Sequence, residues 1–169
     1  MSKVARSERG GRKLDVHDRA LGLLAVRARS RSELERRLLS AGFEREEVVE
    51  TLDRLTAVGL VDDEAFARAF AEHAVVRRGE GKRAVESALY AKGVPRETID
   101  RVVSEVTEER GEESDRALAL ARSRLTRLAG ADPAAAYRKL FSFLARRGYP
   151  PSVSREAARR ALEIDETVA

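Results

Sequence analysis

The sequence contains no cysteine and no long apolar run. Without cysteine it can form no disulfide framework, no thiolate zinc site and no cysteine nucleophile, and a reducing compartment suits it. No apolar stretch approaches the roughly 20 residues that a membrane-spanning helix needs. The first residues, MSKVARSERGGRKLD, carry basic side chains but lack the apolar core of a signal peptide. These absences predict a soluble, cytoplasmic protein without a membrane partner.

Acidic side chains are scarce in the last third of the chain. The 169 residues include 33 Lys and Arg against 29 Asp and Glu, a net charge of +4. Residues 61–113 hold 9 basic and 13 acidic side chains, whereas residues 114–160 hold 11 basic and 3 acidic ones. Such a positive field attracts a polyanion or an acidic protein surface. On composition alone, charged side chains that merely solvate helices explain the same pattern.

Alternation with a period of two, the pattern of a half-buried strand, is almost absent, and apolar residues recur instead at helical spacing. One stripe lies within residues 137–144, and a second comprises Phe66, Ala69, Phe70 and His73. We therefore predict an all-α fold. The nine predicted helices lie near residues 15–29, 31–41, 45–57, 62–78, 82–92, 96–109, 113–129, 133–147 and 153–164.

Several helix starts can be read from local residue patterns. Ser30, with Glu33 three residues later, has the spacing of a capping box. In that motif the side chain of each residue accepts a hydrogen bond from the backbone N–H of the other. Asp132 precedes a proline, which suits an N-cap followed by the first helical position. Pro95 is expected to start a helix in the same way as that proline.

An internal repeat of more than 50 residues organises these helices. Gly42, Gly93 and Gly148 lie 51 and 55 residues apart, and a leucine precedes each by four residues. Leucine or valine recurs eight residues before each glycine, and an apolar residue follows it directly. Just past a helix end, glycine adopts a left-handed backbone without a Cβ clash. Each repeat thus reads as helix, glycine stop and helix, although Ser154 interrupts the last apolar stripe.

Adding the preceding helix to each repeat gives three tandem three-helix units. We predict a basic, disordered tail at residues 1–14, followed by units at 15–61, 62–112 and 113–169. Stacked units bury faces that none could hide alone, which predicts an elongated, curved array of units resembling helix-turn-helix motifs. The concave surface of such an array is the expected binding surface.

The acidic run VDDEAF tests whether the chain is an enzyme. Asp62 is expected to be the N-cap of a helix, with Asp63 and Glu64 in its first turn, where carboxylates meet free backbone N–H groups. Val61 and Phe66 then occupy the two positions of a hydrophobic staple. Since no second cluster supplies a partner acid, base or metal ligand, we predict a non-enzymatic protein without a cofactor.

Two other patterns that could carry chemistry have simpler explanations. The segment RRGEGKRAV contains Gly-Lys, but Arg83 replaces the Ser or Thr of a phosphate-binding loop, and a helix rather than a buried strand precedes it. His17 and His73 lie far apart without an evident third ligand. We expect the first to be a helix connection and the histidines to be ordinary helix-face residues.

Clusters of basic residues recur by unit and are the candidates for binding a partner. Guanidinium groups form planar, paired hydrogen bonds with phosphates and carboxylates alike, so either partner suits them. The alternative for any single arginine is a solvated face. The clusters comprise Arg27, Arg29, Arg31, Arg36 and Arg37 in the first unit, Arg77, Arg78, Lys82 and Arg83 in the second, and Arg122, Arg124, Arg127, Arg138, Lys139, Arg146 and Arg147 in the third.

The order of these features resembles the RecX family of bacterial regulators of the RecA recombinase, over about residues 16–164. The most specific match is GLVDDEAFARAF, which resembles the family's link between its first and second repeats. The segment GKRAVESALYAKGV resembles the family's second-repeat helix, which ends here in Lys92-Gly93-Val94, and FLARRGY resembles its third-repeat helix. The matching positions are Gly59, Leu60, Val61, Asp62, Asp63, Phe66, Phe70, Gly93 and Gly148.

The resemblance implies that the chain binds in the groove of the RecA–DNA filament. There it would restrain ATP hydrolysis, filament growth and strand exchange in recombination, DNA repair and the SOS response. It implies a monomer whose arginines meet RecA carboxylates or, where reachable, single- or double-stranded DNA. The alternative is a stand-alone DNA-binding helical-repeat protein, although the sequence shows no groove of interleaved aromatics that would specify single strands.

Overall fold

The computed structural model describes residues 15–166, with side chains described through residue 162. Within that part of the chain there are nine α-helices, one short 3-10 helix at Thr126–Leu128 and no strand. The α-helices are α1 (Val16–Val26), α2 (Arg31–Ser40), α3 (Arg45–Ala57), α4 (Asp63–Arg78), α5 (Lys82–Ala91), α6 (Arg96–Glu108), α7 (Glu113–Leu125), α8 (Pro133–Arg146) and α9 (Pro151–Glu166). The all-α prediction is confirmed, and the tail predicted at residues 1–14 lies outside the described residues.

Each consecutive set of three helices encloses its own core. Helices α1–α3 form the first unit, α4–α6 the second and α7–α9 the third. Leu38, Leu89 and Leu144, four residues before the repeat glycines, are fully buried, one in each core. The residues eight positions before the glycines are also fully buried: Leu34, Val85 and Leu140. The predicted array of three tandem three-helix units is therefore confirmed.

The repeat glycines end the middle helix of each unit as predicted. Gly42, Gly93 and Gly148 have φ values of 88°, 74° and 84°, in the left-handed region that other residues rarely adopt. After each glycine, the next backbone N–H returns to a carbonyl near the helix end, as Val94 N does to Leu89 O at 3.3 Å. The glycines thus satisfy carbonyls that the helix leaves free.

The predicted caps at α4 and α8 are also confirmed. Asp62 Oδ1 accepts hydrogen bonds from the backbone N–H groups of Glu64 and Ala65, both at 2.9 Å. Asp132 Oδ2 accepts one from Ala135 N at 3.0 Å. These bonds fix the first turn of each helix because the first N–H groups have no partner within the helix.

Two helix boundaries and the place of one proline differ from the prediction by one to three residues. Helix α1 ends at Val26, not near residue 29, because Arg27 is extended and Ser30 must take extended backbone as the N-cap of α2. Helix α6 starts at Arg96 as predicted, but Pro95 is its N-cap rather than its first helical residue. Helix α9 starts at Pro151 rather than near residue 153, since proline suits the first helical position.

The buried face of α4 also differs from the prediction. Ala69 and His73 are exposed, and the helix instead buries the alanines at 67, 71 and 74 together with Phe66. Small side chains on this face let α4 pack closely on its neighbours in the second unit. The predicted staple fails as well, because Val61 packs in the first core and Phe66 in the second.

The units meet end to end through two polar joints. At the first joint, between the first and second units, Asp63 Oδ1 accepts from Arg31 N at 2.7 Å. At the second joint, between the second and third units, Glu113 Oε1 accepts from Lys82 N at 3.1 Å. Both acids begin the first helix of one unit, and both N–H groups begin the middle helix of the preceding unit. Each joint therefore ties the start of a middle helix to the next unit.

Candidate partner-binding surface

The third unit carries an open cleft of about 410 Å³ along α8 and the end of α7. Residues spaced three and four apart on α8 share one face of the helix, which brings several cations to the cleft. Leu128, in the 3-10 helix after α7, adds an apolar side chain to the lining. The lining comprises Arg124, Leu128, Ala135, Arg138, Lys139, Ser142, Phe143 and Arg146.

Two guanidinium groups lie over the Phe143 ring beside this cleft. The guanidinium carbons of Arg124, on α7, and Arg147, just after α8, each lie 5.2 Å from the ring centroid. Cations over an aromatic face are attracted by its quadrupole. The ring is partly buried against the third core, so it holds the two arginines at fixed places beside the cleft.

The cations of the third unit have few carboxylates to pair with. Arg138 and Lys139 are exposed on α8, next to one another along the cleft. An uncompensated group of like charges repels itself and is stabilised when an anionic surface binds. Within the described part of this unit, no ion pair involves Arg122, Arg124, Arg127, Arg138, Lys139, Arg146 or Arg147.

A second aromatic ring with two cations lies in the second unit. The guanidinium of Arg78 lies 5.1 Å from the Phe70 centroid and the ammonium of Lys92 5.3 Å from it. Phe66 stacks beside Phe70, with the ring centroids 6.4 Å apart. Arg78 also pairs with Glu80 at 3.2 Å, so this site is less positive than the cleft of the third unit.

The remaining candidates of the second unit divide into bound and free side chains. Lys82 Nζ donates to Ser104 Oγ at 2.9 Å and lies 3.9 Å from Glu86 Oε1. Arg77 and Arg83 are exposed, and neither forms an ion pair with another described residue. Of these three, Lys82 lies at the joint between the second and third units, where its backbone N–H donates to Glu113.

The first-unit cluster is largely held by one carboxylate. Glu33 binds Arg27 and Arg29, and Arg37 Nε lies 3.3 Å from the same oxygen. Burial alone would raise the pKa of Glu33, but the hydrogen bonds from Arg27 and Arg29 hold it below its usual range. Only half of the predicted capping box forms: Ser30 Oγ accepts from Glu33 N at 3.1 Å, while the Glu33 carboxylate serves the arginines.

The other two first-unit candidates differ from each other. Arg31 pairs with Asp53 at 2.6 Å and donates to Thr56 Oγ1 at 3.2 Å. Arg36 is exposed and forms no ion pair within residues 15–162. The structure thus brings most uncommitted cations to the third unit and the neighbouring second joint.

The acidic stretch that opens α4 has a structural partner for each carboxylate. Asp62 caps the helix, and Asp63 accepts from the first unit. Glu64 accepts two hydrogen bonds from the Arg101 guanidinium, both at 2.7 Å. The bonds from Arg101 hold the pKa of Glu64 below its usual value. Gly59, just before this stretch, has a φ of 74°. This is the left-handed region, which glycine adopts without a Cβ clash.

Neither histidine is part of a buried site. His73 is exposed on α4. His17, Asp15 and Asp18 have potential ligand atoms within 4.8 Å of one another, but all three are exposed. Asp15 already accepts a hydrogen bond from Asp18 N as the cap of α1. None of the described helices is both long and apolar enough to span a bilayer.

Family models place the chain among known proteins. The first, second and third three-helix domains of RecX match residues 17–55, 62–103 and 112–158. This chain belongs to the RecX family. It is 37% identical to the regulatory protein RecX of Corynebacterium efficiens over 155 residues, which cover 90% of this chain and 74% of the relative.

Other RecX proteins are similar over comparable lengths. The regulatory protein RecX of Mycobacterium avium is 41% identical over 86% of this chain and 83% of its own. The crystal structure of RecX from Lactobacillus salivarius aligns with a TM-score of 0.75 at 17% identity, covering 88% of this chain and 95% of that one. At that identity the structural match establishes the three-unit fold alone.

Sequence reasoning missed the aromatic part of the site. It predicted no groove in which aromatics interleave with cations, yet two arginines lie over the Phe143 ring. Arg147 follows Phe143 by four residues, a spacing that brings side chains together on a helix and could have revealed half of this arrangement. Arg124 comes from α7, so its contact depends on tertiary packing.

Proposed function

We propose that this RecX family member is a non-catalytic regulator that binds in the groove of the RecA–DNA filament. Bound there, it inhibits RecA ATP hydrolysis, filament growth and strand exchange in recombination, DNA repair and the SOS response. Membership of the family supports this role. The single observation that supports the location of the binding site is the cleft of the third unit, where Arg138 and Lys139 face solvent and form no ion pair with a described carboxylate.

The form of the cleft suits an extended anionic surface. It is open, and four of its eight lining residues are cations, so it provides no closed pocket in which a small substrate could be held away from water. Charged groups at such a surface raise the association rate and fix orientation. RecA carboxylates, and filament DNA where it can be reached, supply the complementary charge.

A RecA ATPase assay tests this proposal. Substoichiometric wild-type protein should lower the DNA-dependent ATPase rate of RecA. The double variant Arg138→Glu with Lys139→Glu should need at least about tenfold more protein for the same inhibition, because one lost charged-group hydrogen bond costs about 1.5–3 kcal/mol. An unchanged ATPase rate with equimolar wild-type protein would reject the proposed function.

A matched double variant controls for net charge. Arg54 and Arg96 are exposed and lie outside the basic clusters, and among the described residues they pair only with Glu50 and Asp100 on their own helices. Arg54→Glu with Arg96→Glu changes the charge by the same amount as the cleft variant. It should inhibit RecA like the wild type; equal losses in both variants would mean that overall charge, and not the cleft, determines inhibition.

Stand-alone DNA binding is the second candidate, and the Phe143 site favours it. The guanidinium planes of Arg124 and Arg147, which lie over the Phe143 ring, offer surfaces on which an unpaired base can stack. Binding to naked DNA would then weaken steeply with salt, because each neutralised phosphate releases counterions. Co-sedimentation with RecA filaments, assembled on DNA with a slowly hydrolysed nucleotide, compared with naked DNA separates the candidates. Affinity for naked DNA that equals affinity for the filament favours the second.

The remaining parts of the proposal follow from this role. The protein acts in the cytoplasm as a monomer, without a cofactor, and its carboxylates do no chemistry. Asp62 and Asp63 are committed to backbone N–H groups. Metal-dependent turnover that disappears in Asp62→Ala and Asp63→Ala would contradict the non-catalytic assignment.

A further inference from the structure

The two joints use the same carboxylate contact. The first N–H groups of any helix lack partners within that helix, and a carboxylate there also meets the positive end of the helix dipole. Asp63, at the start of α4, accepts from Arg31 N at the start of α2. Glu113, at the start of α7, accepts from Lys82 N at the start of α5. Each middle helix of the first two units is therefore capped by the next unit.

A second contact also recurs at both joints. Ser30 Oγ, at the N-cap of α2, donates to Lys92 O at 2.5 Å. Gly81 N, at the N-cap of α5, donates to Arg147 O at 2.7 Å. Lys92 and Arg147 both cap the end of a middle helix, immediately before the repeat glycine. The start of one middle helix thus faces the end of the next.

The glycines make this approach possible. A Cβ on Gly93 would lie 2.5 Å from Ser32 Cβ, and one on Gly148 would lie 2.5 Å from Ala84 Cβ, distances that real Cβ atoms do not show. A Cβ on Gly42 would meet nothing within 4 Å, although its φ is equally left-handed. Gly42 has no preceding three-helix unit against it within the described residues. All three glycines need a left-handed backbone, but only Gly93 and Gly148 also need the space that a Cβ would fill at a joint. Substitutions can therefore test the two needs separately.

The joints connect directly to the aromatic sites with two cations. Lys92 gives its carbonyl to the first joint and its ammonium to Phe70. Arg147 gives its carbonyl to the second joint and its guanidinium to Phe143. Lys92 and Arg147 thus each take part in one joint and in one aromatic site. Movement at a joint would therefore displace the cation that the same residue places over the aromatic ring. The carbonyl contact fixes the backbone from which each cation projects.

We infer that the joints are positioning devices, which hold the basic sites of successive units at the spacing that one extended partner requires. Gly148 and Glu113 are the positioning residues of the second joint, which connects the second unit to the cation-rich third unit. A rigid array engages several sites together, whereas a loosened one must pay the ordering cost on binding. This inference rests on the proposed binding to the RecA filament, which presents the same surface repeatedly.

The test compares Gly148→Ala with Gly42→Ala. Both changes place a side chain at a left-handed position, but only the first clashes with the preceding unit. Because the chain has no cysteine, Ser87→Cys on α5 and Ser152→Cys on α9, both exposed, accept a dye pair that spans the second joint. Single-molecule energy transfer should show a broader distance distribution for Gly148→Ala and an unchanged one for Gly42→Ala.

A second pair of variants guards against loss of folding. Glu113→Gln keeps an oxygen that can accept from Lys82 N, whereas Glu113→Ala removes it. The alanine variant should broaden the distance distribution and the glutamine variant should restore it. In co-sedimentation with RecA filaments, Gly148→Ala and Glu113→Ala should bind on the order of tenfold more weakly than Gly42→Ala and Glu113→Gln.

Each outcome of these experiments decides one part of the inference. Unchanged distance distributions in both Gly148→Ala and Glu113→Ala would show that the contacts do not lock the joint. Broadened distributions with filament affinity equal to that of Gly42→Ala would reject the positioning role. If the wild type itself fails to bind filaments, the proposed function and the positioning role both fail, while the distance measurement still decides whether the joint is locked.

Discussion

Replacing Glu33 with glutamine removes one charge from a cluster in which three arginines share one carboxylate. Glu33 Oε1 accepts from Arg27, Arg29 and Arg37, and its second oxygen is buried without a hydrogen bond. The Arg29 side chain is only 7% exposed. Glu33→Gln keeps the size of the side chain and one acceptor oxygen, but it leaves the buried Arg29 charge uncompensated.

The expected loss is about 2–3 kcal/mol in the free energy of unfolding at pH 7. Removing one partner of a fully buried ion pair costs about 3–5 kcal/mol. The loss here should be smaller, because glutamine still accepts one hydrogen bond and because Arg27 and Arg37 are 46% and 52% exposed. The loss is still large beside the total stability of about 5–15 kcal/mol that is typical of a domain.

The effect should depend on pH. Hydrogen bonds from arginine outweigh the effect of burial and lower the pKa of Glu33 in the folded state. A carboxyl group whose pKa is lowered by folding contributes its full stabilisation above the ordinary glutamate pKa of about 4.3. This stabilisation is lost as the pH falls through the pKa of the group in the folded protein. The stability difference between the wild type and Glu33→Gln should therefore shrink as the pH is lowered from 7 towards 3.

Urea unfolding at a series of pH values measures this difference, with Glu50→Gln as the matched control. Glu50 pairs with Arg54 at 2.7 Å, but its side chain is 69% exposed, so its loss should change stability by less than about 0.5 kcal/mol. A Glu33→Gln effect no larger than that of Glu50→Gln at pH 7 would refute the buried-charge argument. A difference that stays constant down to pH 3 would refute the pKa argument.

Two further substitutions test the core and the cap. Leu89→Ala should destabilise the protein by about 2–5 kcal/mol, because Leu89 is fully buried in the second core; urea unfolding measures this, and Tyr90→Ala, at a side chain 70% exposed, should stay within about 0.5 kcal/mol. Asp62→Ala should lower stability by about 1 kcal/mol through loss of the two N-cap bonds, and thermal unfolding that is unchanged would show that the cap does not stabilise α4.

The parts of the fold that the sequence predicts correctly depend on neighbours along the chain. Leu38, Leu89 and Leu144 are identified as core by their fixed distance from a glycine, and all are fully buried. Asp62 is identified as a cap by residues within three positions of it. The predicted stripe on α4 is correct for Phe66 and Phe70, which pack on the second core, and wrong for Ala69 and His73, which are exposed. Several helical faces of α4 are apolar, and only packing against the other helices of the unit decides which one is buried.

The contacts that the sequence could not predict join residues far apart in the chain. Glu64 and Arg101 are 37 residues apart and meet because α4 and α6 pack in one unit. The burial of Arg29 depends on the extended turn between α1 and α2. The sequence predicts basic clusters in all three units but does not show which of their side chains form ion pairs. Whether each arginine is paired depends on which carboxylates the fold brings near, and in the third unit there are few.

The joint contacts also bear on assembly between chains. Arg31 and Lys82 can donate to the next unit because the first residue of α2 and of α5 has a backbone N–H. The first residue of α8 is Pro133, which has no N–H, and Asp132 already caps that helix. A second copy of the chain therefore cannot dock on α8 by the carboxylate contact that joins the units. This supports action as a monomer, and we expect a monomer mass by light scattering at micromolar concentration; a head-to-tail oligomer would show that another contact replaces the joint.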